Sequence, residues 1–74
     1  MENYNKIIGK WLEEKRNEKG YSLQYVADHL GCTKGAVFNW EKGIRQILAK
    51  TFMEYALFLG ADPMELVEII RKTK

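Results

Sequence analysis

The side chains of this chain that could do chemistry are cations and hydrogen-bond donors in its central part. A lysine ammonium such as that of Lys34 can donate to O6 and N7 of guanine, and a carboxamide such as that of Asn39 can pair with N6 and N7 of adenine. Lys42, Arg45 and Lys50 follow shortly after, and long cationic side chains of this kind reach phosphate oxygens. These residue types predict contact with nucleic acid if the fold brings them to one surface.

The distribution of charge favours this chemistry more than the total charge does. The chain of 74 residues has a net charge of only +2, which is weak evidence for a nucleic-acid partner. Residues 31–50 contain four basic residues against Glu41 alone, a net charge of +3, whereas residues 51–70 contain four acids and no lysine or arginine. Such blocks also arise by chance in a small, charged protein. Whether the basic block forms a binding surface therefore depends on the secondary-structure elements that carry it.

Catalytic and metal chemistry find little support in the sequence. His29 is the only histidine and has no acid or nucleophile at a telling spacing, which favours a solvated helix face. Cys32 is the only cysteine, which excludes an internal disulfide and favours a small packed residue. We expect no catalytic residue, no metal and no cofactor.

The elements that must position these residues are helices. Apolar residues recur at helical spacing, and no stretch alternates as a strand would. Asp62 caps the last helix and Pro63 begins it, where a missing amide hydrogen costs nothing. The predicted helices cover residues 5–18, 23–30, 34–42, 48–59 and 63 to about 72. Their apolar faces are Tyr4, Ile7, Ile8, Trp11 and Leu12 on the first helix, Leu23, Val26, Ala27 and Leu30 on the second, Val37 and Trp40 on the third, Phe52, Tyr55, Ala56 and Leu59 on the fourth, and Met64, Leu66, Val67, Ile69 and Ile70 on the fifth.

Residues 22–43 predict two short helices joined by a sharp turn. Two such helices approach closely at one point, where Ala27 is small enough to lie. Gly31 can adopt the left-handed conformation that ends the first helix. Thr33 offers a hydroxyl to the free amides of the next helix, which Gly43 closes.

With these residues and the closing Glu41-Lys42-Gly43, the segment resembles the lambda-repressor-like, Cro-type (XRE-like) helix-turn-helix family. Residues 8 to about 66 follow the family's five-helix pattern, although outside the motif only the apolar rhythm matches. The resemblance implies an all-α, compact five-helix DNA-binding domain over residues 1–74. Its helix-turn-helix covers residues 22–43, and residues 48–72 form core and dimerisation helices.

The resemblance also implies that helix 33–43 lies in the major groove of DNA. The candidates for base reading on its outer side are Lys34, Gly35, Phe38 and Asn39. Gly35 has no side chain to offer and instead permits a close backbone approach. Phe38 either contacts a thymine methyl group or packs against the loop after Gly43 or a neighbouring chain.

Phosphate contacts are expected at the edges of this surface. The candidates are Ser22, Gln24, Thr33, Lys42, Arg45 and Lys50. Leu23 stands where many family members carry a phosphate-binding glutamine, which leaves the contact from the second helix open. Arg16 and Glu41 could be taken for a catalytic pair, but the resemblance implies a structural ion pair between the first and third helices.

The fifth helix carries more apolar residues than one buried stripe needs, which predicts that part of it faces a second subunit. Leu57 and Phe58 on the fourth helix can join this surface. The candidate dimerisation residues are Leu57, Phe58, Met64, Val67 and Ile70. The alternative is that the last helix simply closes the core.

We expect a cytoplasmic transcription regulator, most simply a dimeric repressor of a palindromic double-stranded operator, with no small-molecule ligand and no membrane attachment. Residues 1–6 lack the order of a signal peptide, and no apolar run approaches the roughly 20 residues of a membrane span. Two alternatives use the same fold, namely a control protein or antitoxin and a module that binds a partner protein.

Overall fold

The computed structural model describes residues 4–73, and residues 1–3 and 74 of the predicted domain lie outside the described part. The described residues form α1 (Tyr4–Lys19), α2 (Leu23–Leu30), α3 (Lys34–Glu41), α4 (Ala49–Leu59) and α5 (Pro63–Thr73). The all-α prediction is confirmed, with small shifts at the helix ends. Lys42 caps α3 instead of belonging to it, and Leu48 precedes α4.

The helix ends are fixed by the residues that the sequence marks. The Thr33 hydroxyl accepts a hydrogen bond from the Ala36 amide at 3.1 Å, which satisfies one of the free donors at the start of α3. Gly31 ends α2 with φ 71°, a left-handed conformation that glycine adopts without strain. The Asp62 carboxylate accepts from the Met64 amide at 3.0 Å at the start of α5. Local chemistry therefore sets the lengths of the helices.

α1 lies at the centre of the fold and packs against α3, α4 and α5, while α2 packs against α3 and α4. The shared core takes residues from all five helices, namely Trp11, Leu12, Val26, Ala27, Val37, Tyr55, Ala56, Leu59 and Leu66. Within residues 4–73 no helix is long and apolar enough to cross a membrane.

A close backbone contact joins α1 to the C-terminal end of α3. A methyl group at Gly9 would overlap the backbone carbonyl oxygens of Trp40 and Glu41. A methyl group at Gly43, whose φ is 72°, would likewise overlap the backbone of Lys6. The sequence analysis did not anticipate this contact, although a glycine inside a helix weakens the helix and signals a packing reason.

We predict that Gly9→Ala lowers the free energy of unfolding by about 1–3 kcal/mol, the usual cost of overpacking, despite the better helix propensity of alanine. Gly35→Ala is the matched control, because a methyl group there meets only the Thr33 hydroxyl oxygen at 4.0 Å. Urea denaturation measures both variants. A Gly9→Ala protein as stable as Gly35→Ala would show that α1 and α3 do not approach as described.

Candidate nucleic-acid interface

A buried hydrogen-bonded ion pair fixes the inner side of α3. The guanidinium of Arg16 on α1 donates to both carboxylate oxygens of Glu41, from Nε at 2.7 Å and from Nη2 at 3.0 Å. Its Nη1 donates to the backbone oxygen of Tyr21 at 2.8 Å. The hydroxyl of Tyr55 on α4 donates to Glu41 Oε2 at 2.6 Å. The structure thus brings together the pair that the family resemblance implied and adds Tyr55, which the apolar pattern of α4 had placed only in the core.

The electrostatics of this network keep each group in the state that its hydrogen bonds require. The hydrogen bonds to Glu41 raise the pKa of Arg16, so the guanidinium stays charged. Burial, together with the hydrogen bond to Glu41, raises the pKa of Tyr55 well above its usual range, so the phenol stays protonated and donates. Glu41 is only 3% exposed, and these donors compensate its buried charge.

The opposite side of α3 is open. Val37 and Glu41 face inward and are buried, whereas Lys34, Gly35 and Phe38 are exposed and Asn39 is half-buried. Phe38 keeps 42% of its surface exposed. The four predicted base-reading residues thus lie on the side of α3 away from the core, which we call the reading face. Lys34, the only charged residue among them, forms no ion pair within the described residues.

The hydroxyl groups of Ser22 and Thr33, at the starts of α2 and α3, can each still donate a hydrogen bond. Ser22 Oγ accepts from the Tyr25 amide at 3.0 Å, as Thr33 does from the Ala36 amide at the start of α3. Because each hydroxyl acts as acceptor in its cap, its own hydrogen remains available to an anion. Leu23, between these two starts, packs against the core and offers no polar group.

The loop after α3 is anchored by the end of that helix. The backbone oxygen of Asn39 accepts from the amides of Ile44 at 3.0 Å and Arg45 at 3.2 Å. These bonds hold Arg45 next to the reading face, where its side chain is exposed. Lys50 lies further along, 88% exposed and 4.0 Å from Glu54.

Besides Lys50, two other predicted phosphate-binding residues have partners that the sequence analysis missed. Gln24 Nε2 donates to Asp28 Oδ1 at 2.8 Å, one turn along α2. The Lys42 ammonium donates to both carboxylate oxygens of Glu13, at 3.1 and 3.3 Å, and lies 5.7 Å from the centre of the Phe38 ring. Glutamine four residues before aspartate is a visible helical pair, but nothing in the sequence pairs Glu13 with Lys42.

The residues predicted for dimerisation divide into two groups. Leu57, Met64 and Val67 are 80%, 56% and 42% exposed. Phe58 and Ile70 are half-buried and pack against the core. The Phe58 ring is stacked on His29, with centroids 3.8 Å apart. His29 is exposed, in agreement with the predicted solvated helix face.

Cys32 is half-buried, and burial raises the pKa of its thiol, which disfavours the reactive thiolate. Residues 4–73 hold no group of three His, Cys, Asp or Glu side chains that could bind a metal ion.

The amino-acid sequence matches a known family of DNA-binding domains. A family model described as helix-turn-helix, of the XRE and lambda-repressor-like type, matches residues 12–66, well over half of the chain. Comparisons with curated proteins and with solved structures gave no match.

We predict that Tyr55→Phe lowers the free energy of unfolding by about 1–3 kcal/mol, because the buried carboxylate loses a donor. The variant should also lose less stability above pH about 10, where an unfolded tyrosine releases its proton. In the wild type the raised pKa keeps Tyr55 protonated only while the protein is folded, so alkaline pH favours unfolding.

Urea denaturation from neutral pH to about pH 11 measures both effects, with Tyr25→Phe on the exposed face of α2 as control. Identical stability and identical pH dependence in wild type and Tyr55→Phe would show that the phenol does not serve Glu41.

Proposed function

The chain belongs to the helix-turn-helix family of DNA-binding regulators, and we propose that it is a cytoplasmic, dimeric repressor that occupies a palindromic operator. α3 lies in the major groove in this proposal, with Lys34 and Asn39 as the base readers. Repression follows from occupancy, since a protein bound across a promoter excludes other proteins from the same DNA.

The observation that carries the proposal is the division of α3 into two sides. Glu41 on the inner side is held by Arg16 and Tyr55. On the reading face Lys34, Gly35 and Phe38 are exposed and Asn39 is half-buried. A methyl group at Gly35 would meet only the Thr33 hydroxyl oxygen at 4.0 Å, so the fold itself does not require glycine there. We assign its missing side chain to a close approach of the backbone to DNA. We assign phosphate contacts to Ser22, Thr33, Arg45 and Lys50. Gln24 and Lys42 contact phosphate as well, after leaving their partners in the free protein, Asp28 and Glu13.

The proposed dimer uses α5 against α5 of a second copy. Met64 and Val67 form an exposed apolar stripe on this helix, and Leu57 on α4 is exposed as well. α5 also carries Glu65 in its first turn and Arg71 in its last, so two copies related by a two-fold axis would oppose unlike charges. Lys15 takes only one oxygen of Glu65, at 2.7 Å, which leaves the other for the second copy.

We predict that Lys34→Ala and Asn39→Ala relax base preference at particular positions of the selected site, by about 1–3 kcal/mol for each lost contact. Arg45→Ala and Lys50→Ala should weaken binding to all sequences by similar factors, because phosphate contacts carry no base information. Selection from a randomised duplex library measures both. Unchanged preference in the first two variants would remove those residues from the reading set.

The salt dependence of binding separates this function from binding to a partner protein. A dimer that makes about 6–10 phosphate contacts should lose about 10³–10⁵ in affinity between about 50 and 200 mM salt. A slope near zero would favour the partner-binding alternative.

We predict that Val67→Glu yields a monomer with weaker operator binding, because a carboxylate cannot be buried in an apolar contact without cost. Sedimentation velocity over a range of concentrations gives the oligomeric state. Tyr25→Glu, at an exposed aromatic residue on α2, serves as control. A Val67→Glu protein that associates like the control would exclude α5 as the interface.

A further inference from the structure

One cation of the DNA-facing side is already neutralised in the free protein. Lys42 caps the C-terminal end of α3, and its ammonium lies 5.7 Å from the centre of the Phe38 ring. The same ammonium contacts both oxygens of the Glu13 carboxylate, at 3.1 and 3.3 Å. Lys34 and Arg45 have no ion pair within residues 4–73. Lys42 therefore differs from its neighbours in having a built-in anion.

The position of Glu13 follows from the packing of α1. Lys6, Gly9, Glu13 and Arg16 lie three or four residues apart, which places them on one side of this helix. Gly9 is held against the carbonyl oxygens of α3, and Arg16 binds Glu41. The Glu13 side chain is 30% exposed and that of Lys42 is 43% exposed. The contacts of Gly9 and Arg16 with α3 lie on either side of Glu13 along α1, and they place its carboxylate beside Lys42.

We propose that Glu13 competes with DNA phosphate for Lys42 and thereby limits the affinity and the salt dependence of duplex binding. This inference rests on the proposed function. When the duplex arrives, the flexible lysine side chain can turn to a phosphate only by leaving the carboxylate, which then remains as a negative charge near the negative backbone. The pair keeps nonspecific binding weak, so base contacts decide where the protein stays.

The test measures binding to a fluorescent duplex of mixed sequence by anisotropy, between about 50 and 200 mM salt. Glu13→Gln should raise affinity about fivefold, the Coulomb effect of removing one neighbouring charge, and steepen the salt slope by up to about 0.9. Glu14→Gln is the matched control, since it makes the same change in net charge at an exposed neighbouring residue. It should have a much smaller effect.

Lys42→Gln identifies the partner of the carboxylate. We expect it to weaken binding less in the wild-type background than in the Glu13→Gln background, where the freed ammonium contacts phosphate. Equal effects of Glu13→Gln and Glu14→Gln, or equal effects of Lys42→Gln in the two backgrounds, would overturn this inference alone. Wild-type protein that fails to bind any duplex would overturn the proposed function, and this inference with it.

Discussion

The buried carboxylate of Glu41 is the constraint on which the placement of α3 depends. A charge that is 3% exposed is tolerated only with compensating donors, and removing one member of such a pair costs about 3–5 kcal/mol. Here the donors come from Arg16 on α1 and Tyr55 on α4, and Arg16 also binds the backbone before α2. Three helices are therefore tied to one anion, and the loop before α2 is tied to it through Arg16. The absent side chain of Gly9 lets α1 come close enough to supply the guanidinium.

Because of this constraint, the residue that fixes α3 in the fold is not one of the residues proposed to contact bases. The end of α3 is fixed through Glu41, so the first turns of the helix are presented rigidly while their outer side stays out of the core. Side chains at Lys34, Gly35 and Phe38 can differ without disturbing the packing, because these positions are exposed. Under the proposed function, base preference could then change while the fold stays the same.

The sequence predicts the parts of this molecule that depend on local chemistry. Caps such as Thr33, the left-handed turn at Gly31 and the apolar faces of the helices all follow from residues close together in the chain. The contacts made across the fold escaped this treatment. Periodicity placed Tyr55 in the core but could not reveal that its hydroxyl meets Glu41, and Glu13 binds Lys42 at a separation of 29 residues. Such pairs depend on how the helices pack, which the spacing of apolar residues does not determine.

Mapping the DNA contact by NMR tests the central claim most directly, because it needs no knowledge of the operator. Amide signals of the labelled protein would be followed during titration with a short duplex of mixed sequence. We expect the largest changes at residues 33–39 and at Arg45, with smaller changes at the start of α2 and none in the middle of α5. Changes centred on α5, or on the exposed side of α2 around Tyr25 and His29, with the signals of α3 unaltered, would contradict the assignment of α3 as the reading helix.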